Sequence, residues 1–184
     1  MNRWKFFREA IRSWRSTGAI ASSSPALVNR LVAPITKDQP LRVVELGPGG
    51  GCVTEAILDR LHPDSELIAF EINDKFIERL REIDDPRLTI LPHGAERLAE
   101  FVQAETIDYV VSSLPLSIIP KGVKAEIIQQ SMEALKPAGH YLQFQYALQD
   151  YKLLKYYFNS VKVSFTAANL PPAFIYTCSL GLAY

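Results

Sequence analysis

Cysteine and histidine are scarce in this chain, with two and three residues respectively among 184. The two cysteines, Cys52 and Cys178, lie far apart in the sequence and match no metal-binding or redox spacing. Scarce, unpaired thiols are typical of a reducing compartment, so we expect a cytoplasmic protein without a bound metal. Lys plus Arg equals Asp plus Glu, at 20 each. The overall charge therefore indicates no nucleic acid or other polyanion as a partner.

Long apolar segments are also missing. No apolar run approaches the roughly 20 residues that a helix needs to cross a bilayer. The N-terminus does not resemble a signal peptide, because its charges continue through Arg15 and no uninterrupted apolar stretch follows. The length suits one α/β domain with its own hydrophobic core. We expect that domain to span residues 25–184, after an N-terminal segment of residues 1–24.

The N-terminal segment differs in charge from the rest of the chain. Its first sixteen residues carry five basic residues and one acidic residue, a net charge of +4 that leaves −4 for the remainder. Apolar and basic residues recur there at spacings of three and four, which predicts a basic amphipathic helix. Such a helix can lie on an anionic membrane surface, or it can pack its apolar stripe on the domain. The residues predicted to bind membrane are Arg3, Trp4, Lys5, Phe7, Arg8, Ile11, Arg12, Trp14 and Arg15.

Strands and helices alternate from residue 41 onward, which predicts an α/β domain with a doubly wound, mostly parallel sheet of the Rossmann-like class. Lys136–Gly139 is expected to form a turn, and Leu148–Tyr157 a helix. Two β-rich stretches at the end of the chain lack a long helix between them, so we expect an antiparallel C-terminal strand. The predicted parallel strands are Leu41–Leu46, Leu67–Glu71, Leu88–Leu91, Ile107–Ser112 and His140–Tyr146.

A glycine-rich turn follows the first predicted strand. Glycine permits positive φ angles and lets a ligand approach the backbone closely. A phosphate-binding P-loop would need Gly-Lys-Ser/Thr here, and a dinucleotide turn would need a glycine where Cys52 stands. The methyltransferase pattern E-x-G-x-G-x-G is met in full, which predicts an S-adenosylmethionine site. Its residues are Glu45, Gly47, Pro48, Gly49 and Gly51.

Ligands of doubly wound sheets bind beyond the carboxyl ends of the strands. Glu71 ends the second predicted strand, where a carboxylate can accept hydrogen bonds from both ribose hydroxyls of a nucleoside; Ile72 follows in the same site. Alternatively, Glu71 caps the helix that starts near Asp74. Motif and spacing together favour ribose binding.

The third strand is followed by His93-Gly94-Ala95-Glu96. Many methyltransferases have Gly-Asp-Ala here, and the acidic residue meets the adenine amino group. In this chain the acid is displaced by one position. Either Glu96 replaces it, or backbone groups at Gly94 and Ala95 hold the adenine. His93 is interpreted as a loop histidine rather than a base.

The acceptor side is expected beyond the fourth and fifth strands. Ser112, predicted to contact the cofactor as well, begins a segment with Ser113, Leu114 and Pro115 that can present backbone carbonyls and a hydroxyl to an amine. Tyr146 is interpreted as a proton acceptor, as an aromatic surface for a cationic product, or as a buried strand tyrosine. Adenine methyltransferases carry Asn or Asp and an aromatic residue in this segment, which argues against DNA or RNA as the substrate.

These motifs together resemble the bacterial phospholipid N-methyltransferases. The likeness spans nearly the whole chain, and it implies methylation of phosphatidylethanolamine and its methylated derivatives by a peripheral membrane enzyme. Two departures stand out: Ser113 replaces a glycine, and Ala147–Phe158 looks helical where the family often has a Pro-rich stretch. The similar segments are the basic-aromatic start, residues 18–23, Val44–Gly49, Val111–Leu116, Gln143–Tyr146 and Asn169–Ala173.

Other functions stay open beside this one. The acceptor can be another aminolipid such as ornithine lipid, or a soluble small molecule. The chain can also be a non-enzymatic membrane- or partner-binding protein of the same fold. The sequence is compatible with a monomer but does not determine the oligomeric state.

Overall fold

The computed structural model describes residues 24–181. The predicted N-terminal amphipathic helix, with its basic and aromatic membrane-binding residues, lies outside them. The strands are β1 Arg42–Leu46, β2 Glu66–Phe70, β3 Leu88–Leu91, β4 Ile107–Ser112, β5 Leu135–Gln145, β6 Ser160–Thr166 and β7 Ala173–Ser179. The α-helices are α1 Pro25–Leu31, α2 Cys52–Leu58, α3 Asp74–Leu80, α4 Leu98–Phe101, α5 Lys121–Ala134 and α6 Tyr151–Tyr157. Short 3₁₀ turns cover Ala95–Arg97 and Leu116–Ile118.

The seven strands form one sheet in the order β3-β2-β1-β4-β5-β7-β6. Strands β1 to β5 pair in parallel, whereas β7 is antiparallel to both of its neighbours. The short connection between β6 and β7 explains why these two strands are antiparallel. An antiparallel pair can be joined by a hairpin, while a parallel pair needs a crossover connection. The predicted doubly wound, mostly parallel sheet with an antiparallel C-terminal strand is confirmed.

Hydrophobic residues cover both faces of the sheet. Neighbouring strand residues such as Val43 and Val44 belong to two different core clusters, one on each face, because successive side chains of a strand point to opposite sides. Helix α1 packs on the same face as Val43. Its N-cap Ser24 accepts a hydrogen bond from the Leu27 amide.

Two predicted boundaries are wrong. Lys136–Gly139 is not a separate turn, since β5 already begins at Leu135. The pairing shifts between Ile107 and Tyr109 of β4, and the residues of β5 in excess bulge out of the ladder. Gly139 fits this bulge because a Cβ there would lie 2.9 Å from the Ile107 carbonyl oxygen. Similarly, α6 begins at Tyr151 rather than at Leu148.

Within residues 24–181, no helix combines the length and the apolar character that crossing a bilayer requires.

Candidate active site

Backbone hydrogen bonds align the ends of neighbouring strands. Beyond the strands themselves, the Ser113 amide donates to the Leu46 carbonyl at 3.0 Å, the Gly47 amide to the Phe70 carbonyl at 3.0 Å, and the Glu71 amide to the Leu91 carbonyl at 3.1 Å. The turns that follow β1, β2 and β4 therefore lie side by side at the carboxyl edge of the sheet, where the sequence places the site.

The turn after β1 depends on glycine. Gly47, Gly49 and Gly51 have φ values of 73°, 58° and 89°, in the left-handed region that side chains disfavour. Gly51 is also the N-cap of α2. Glu45, which starts the motif, is fully buried in β1 and accepts a 2.7 Å hydrogen bond from the Thr54 hydroxyl on α2. Glu45 thus connects the strand to the helix and fixes the turn between them.

Glu71 connects the second turn to the first. It is buried, and its carboxylate accepts hydrogen bonds from the Gly49 amide at 3.0 Å, the Ile72 amide at 2.8 Å and the Asn73 amide at 3.0 Å. The N-cap of α3 is Asn73, whose side chain accepts from the Lys75 amide. The alternative role of Glu71 as helix cap is therefore not supported.

A cleft of about 390 Å³ opens at this edge between the glycine turn and the loops after β4 and β5. It brings together residues that are far apart in the sequence, and Arg79 is the single charged residue among the described residues that line it. The lining consists of Gly47, Pro48, Gly49, Gly50, Cys52, Val53, Phe76, Arg79, Ser113, Leu114, Pro115, Ser117, Phe144, Gln145, Tyr146 and Ala147.

The turn fits a bulky nucleoside ligand. A Cβ built on Gly49 would meet no atom within 4 Å, so the side of the turn at Gly49 is open. The buried carboxylate of Glu71 lies next to it as a hydrogen-bond acceptor, held in place by the Gly49 amide. An open glycine backbone beside an oriented carboxylate is the combination that ribose-containing cofactors use.

Two glutamines of β5 support the acceptor side. The side-chain amides of Gln143 and Gln145 donate to the Leu114 carbonyl at 3.1 and 3.0 Å, and the Leu116 amide donates to the same oxygen at 2.9 Å. This carbonyl is therefore engaged in holding the loop after β4. The buried Tyr141 hydroxyl donates to Gln143 Oε1 at 2.7 Å and orients that amide. Burial raises the pKa of Tyr141, so its phenol stays protonated and donates.

The two serines of this loop differ in their surroundings. Ser112 is fully buried at the end of β4, and its hydroxyl lies 3.4 Å from the Leu114 amide that donates to it. The Ser113 hydroxyl is buried too and forms no hydrogen bond within the described part of the chain. Ser113 lines the cleft. A glycine at this position would lack the hydroxyl.

Tyr146 lies at the mouth of the cleft. Its side chain is 40% exposed, which contradicts the interpretation as a buried strand tyrosine. Burial of the ring raises the pKa of the phenol, against the opposing effect of a hydrogen bond with the Asn169 side chain. The protonated phenol is thus favoured, and its ring meets the Phe144 ring edge-on at 5.9 Å. This geometry favours an aromatic surface over a proton acceptor.

The residues after β3 lie beside the cleft, not among its lining. The Glu96 carboxylate occupies the position where a Cβ on Gly94 would lie, so the displaced acid folds back toward the strand end. His93 stacks on the Phe101 ring at 4.6 Å, and its Nδ1 lies 2.8 Å from the Arg97 guanidinium. These contacts support the interpretation of His93 as a loop histidine rather than a base.

A buried ion pair connects the two loops of the acceptor side. The Lys124 ammonium of α5 pairs with the Asp150 carboxylate at the start of α6 and donates to the Leu116 carbonyl at 3.1 Å. Both side chains are nearly inaccessible, at 11% and 5%. The pair therefore ties the loop after β4 to the loop after β5.

Sequence reasoning missed several lining residues. Phe76 and Arg79 lie on α3 and carry no recognisable signal, because only the packing of α3 beside the turn brings them to the cleft. Gln145, which lines the cleft, and Gln143, which supports the loop after β4, do carry a signal. Two amides two residues apart in a buried strand point to the same face and need hydrogen-bond partners. The thiol of Cys52 also lines the cleft, where burial raises its pKa.

Comparisons with known proteins agree with this geometry. Residues 43–139 match the methyltransferase domain family. The crystal structure of 1,6-didemethyltoxoflavin-N1-methyltransferase from Burkholderia thailandensis, with 1,6-didemethyltoxoflavin and S-adenosylhomocysteine bound, superposes with a TM-score of 0.70. That likeness covers 93% of this chain and 85% of the other at 14% identity, so it shows the fold alone. The chain is an S-adenosylmethionine-dependent methyltransferase of the Rossmann-like class, and the predicted enzyme class and cofactor are confirmed.

Related sequences indicate which methyltransferase family the chain belongs to. An ornithine lipid N-methyltransferase from Singulisphaera acidiphila is 31% identical over 180 residues, covering 95% of this chain and 92% of that protein. A probable ribosomal RNA small subunit methyltransferase A from Methanospirillum hungatei is 35% identical, but over only 52% of this chain and 36% of its own length. The chain belongs to the same family as the ornithine lipid N-methyltransferase.

Proposed function

We propose that this methyltransferase transfers methyl groups from S-adenosylmethionine to the amine of a membrane aminolipid. The near full-length relationship to an ornithine lipid N-methyltransferase carries the proposal. Because of this relationship, we propose an ornithine-type headgroup as the first candidate acceptor and phosphatidylethanolamine as the second. The sequence resemblance implies the reverse order.

The cleft supports an acceptor of this kind. Its lining is mainly apolar, with one guanidinium, Arg79, near the glycine turn. Ornithine lipid and phosphatidylethanolamine each place an anionic group a few bonds from the amine, which suits a cleft with a single cation. An adenine base would lack the paired acid or amide and stacking ring that it needs in the loop after β4.

We assign the cofactor to the Gly47–Gly51 turn and to Glu71, with Ile72, Gly94, Ala95, Glu96 and Ser112 as its further neighbours. When bound there, S-adenosylmethionine supplies an electrophilic methyl group on a sulfonium. The amine would have to be neutral to accept this methyl group, so it would first give up a proton to solvent. The chain then has to orient the amine and keep bulk water away.

Residues of the acceptor side carry that positioning. Ser113 lines the cleft and is the residue that we assign to contact the amine. The Leu114 carbonyl accepts from Gln143 and Gln145, which keeps the loop after β4 in place. The exposed face of Tyr146 suits the quaternising ammonium through a cation–π contact.

A panel assay tests the proposal. Radiolabelled S-adenosylmethionine is supplied with detergent-dispersed ornithine lipid, phosphatidylethanolamine and soluble amines, and label is followed into lipid. We expect label in ornithine lipid, and little in soluble amines. Turnover confined to soluble amines would overturn the lipid acceptor.

A further inference from the structure

Three loops lie at the carboxyl edge of the sheet, where the cleft opens. They comprise residues 113–120 after β4, residues 146–150 after β5 and residues 167–172 between β6 and β7. The first two contribute lining residues. The third lies beside them because β7 pairs Phe174 with Gln145 at the end of β5, which brings Asn169 near the side chain of Tyr146.

Each loop exposes one large aliphatic side chain. Ile118 is 41% exposed, Leu148 48% and Leu170 85%. We call these three residues the apolar rim. They come from separate parts of the sequence, yet Ile118 follows the lining residue Ser117 and Leu148 follows the lining residue Ala147. The half-exposed Tyr146 adds an aromatic ring to this edge. Large apolar side chains grouped around a binding cleft mark an interaction surface, whereas scattered ones do not.

The rim loops are also almost free of charge. Their only charged residue is Asp150, which is buried against Lys124. Charged residues return immediately outside the loops, as the exposed Lys121 at the start of α5 and Lys152 in α6. Apolar loop tips flanked by lysines are suited to a membrane interface. There, uncharged side chains enter the boundary between headgroups and acyl chains, and cations contact anionic headgroups.

The chain enters the described fold beside this rim. The Ser24 amide donates to Asn169 Oδ1 at 2.8 Å, and the Ser24 hydroxyl donates to the Ala168 carbonyl at 2.6 Å. The residues that precede Ser24 carry the basic amphipathic pattern. The entry point is therefore tied to the third rim loop, adjacent to Leu170.

We infer that the apolar rim is the surface that docks on an anionic phospholipid bilayer, with the cleft opening onto the headgroup layer. This inference rests on the proposed function, since a lipid acceptor must reach the cleft without leaving the membrane. Ile118, Leu148 and Leu170 enter the acyl boundary, while Lys121 and Lys152 stay at the headgroups. The rim adds a second contact to the predicted N-terminal helix and fixes the orientation of the cleft.

Vesicle binding by the full-length chain tests the rim. The variant Ile118→Asp/Leu148→Asp/Leu170→Asp is compared with Val163→Asp, whose side chain is similarly exposed at 38% on β6. Sedimentation uses vesicles of phosphatidylcholine and phosphatidylglycerol, which offer no amine to methylate. We expect the rim variant to lose at least about tenfold in partitioning, and the control less than about twofold. Both should bind S-adenosylhomocysteine like the wild type.

A depth measurement keeps the inference testable if the triple variant fails to fold. Leu170→Trp and Val163→Trp are made in a Trp4→Phe/Trp14→Phe background, and fluorescence is recorded with vesicles of brominated phospholipid. We expect quenching at position 170 and not at 163.

Several outcomes would overturn the inference. These are wild-type partitioning of the rim variant, an equal loss in the control, no quenching at position 170, or stronger binding by the rim variant because the N-terminal segment covers the rim. Methyl transfer to detergent-dispersed lipid is scored separately and should persist in the rim variant. Its absence in the wild type would contradict the proposed function but not the docking surface.

Discussion

The two sides of the cleft are built in different ways. The cofactor side consists of one continuous turn, Gly47–Gly51, whose shape comes from backbone conformation and from two buried carboxylates, Glu45 and Glu71. The acceptor side is assembled from loops after β4 and β5, which side chains such as Gln143 and Lys124 hold together. A local turn can be conserved in shape while the acceptor side changes, which is how one fold serves many acceptors.

Breaking the brace under the acceptor side should have the largest effect. Lys124→Met leaves the Asp150 carboxylate buried without its partner, and one of its oxygens already lacks a hydrogen bond within the described residues. We expect a loss of about 3–5 kcal/mol in the free energy of unfolding. Urea unfolding followed by circular dichroism measures it.

A matched control is Lys136→Met. Lys136 pairs with Asp108 at 2.7 Å, but its side chain is 42% exposed. An exposed pair of this kind contributes about 0–1 kcal/mol. Equal losses in the two variants would contradict the role of the buried brace.

Removing one charge on the cofactor side should have an intermediate effect. Glu71→Gln weakens an acceptor that receives the Gly49, Ile72 and Asn73 amides and that we assign to the ribose. We expect S-adenosylhomocysteine to bind about 1.5–3 kcal/mol more weakly, roughly 10- to 150-fold, as measured by calorimetry. Glu78→Gln, on the exposed side of α3, should leave the affinity unchanged. An unaltered affinity in Glu71→Gln would restrict Glu71 to a structural role.

Substitutions at Tyr146 should have the smallest effect and sharpen the description of the acceptor side. Tyr146→Phe keeps the ring and should retain most of kcat, whereas Tyr146→Ala should lose about 2- to 30-fold, the scale of a cation–π contact. Burial raises the pKa of the Tyr146 phenol above its ordinary value of 10.0, so the phenolate is not available near neutral pH.

The pH profile separates these roles. Wild type and Tyr146→Phe should show the same dependence of kcat/KM between about pH 7 and 9. If the wild type shows an ionisation that Tyr146→Phe lacks, or if Phe is as damaging as Ala, the hydroxyl is the functional group and the aromatic assignment is wrong.

Much of the fold could be predicted because its signals are local. Alternating apolar segments and the turn residues between them identify the five parallel strands to within a few residues. The errors at Lys136–Gly139 and Leu148 have one cause. Whether a segment beside a strand forms a bulge or a loop depends on its contacts with neighbouring elements, and the local sequence pattern does not contain those contacts. Gly139 avoids a carbonyl of β4, and Tyr146–Asp150 is held by contacts to α5 and β7.

The sequence by itself determined the cofactor side of this protein. Three glycines at alternate positions and an acid at the end of the next strand specify a turn shape and a hydrogen-bond acceptor within one β-α-β unit, and the resemblance of the later motifs indicated a lipid amine. Only the tertiary structure decided which residues line the cleft. Arg79 reaches the glycine turn through the packing of α3. The three rim loops lie at one edge because parallel strands end there and β7 returns antiparallel beside β5. Contacts of that kind depend on strand order, and strand order is a property of the folded chain.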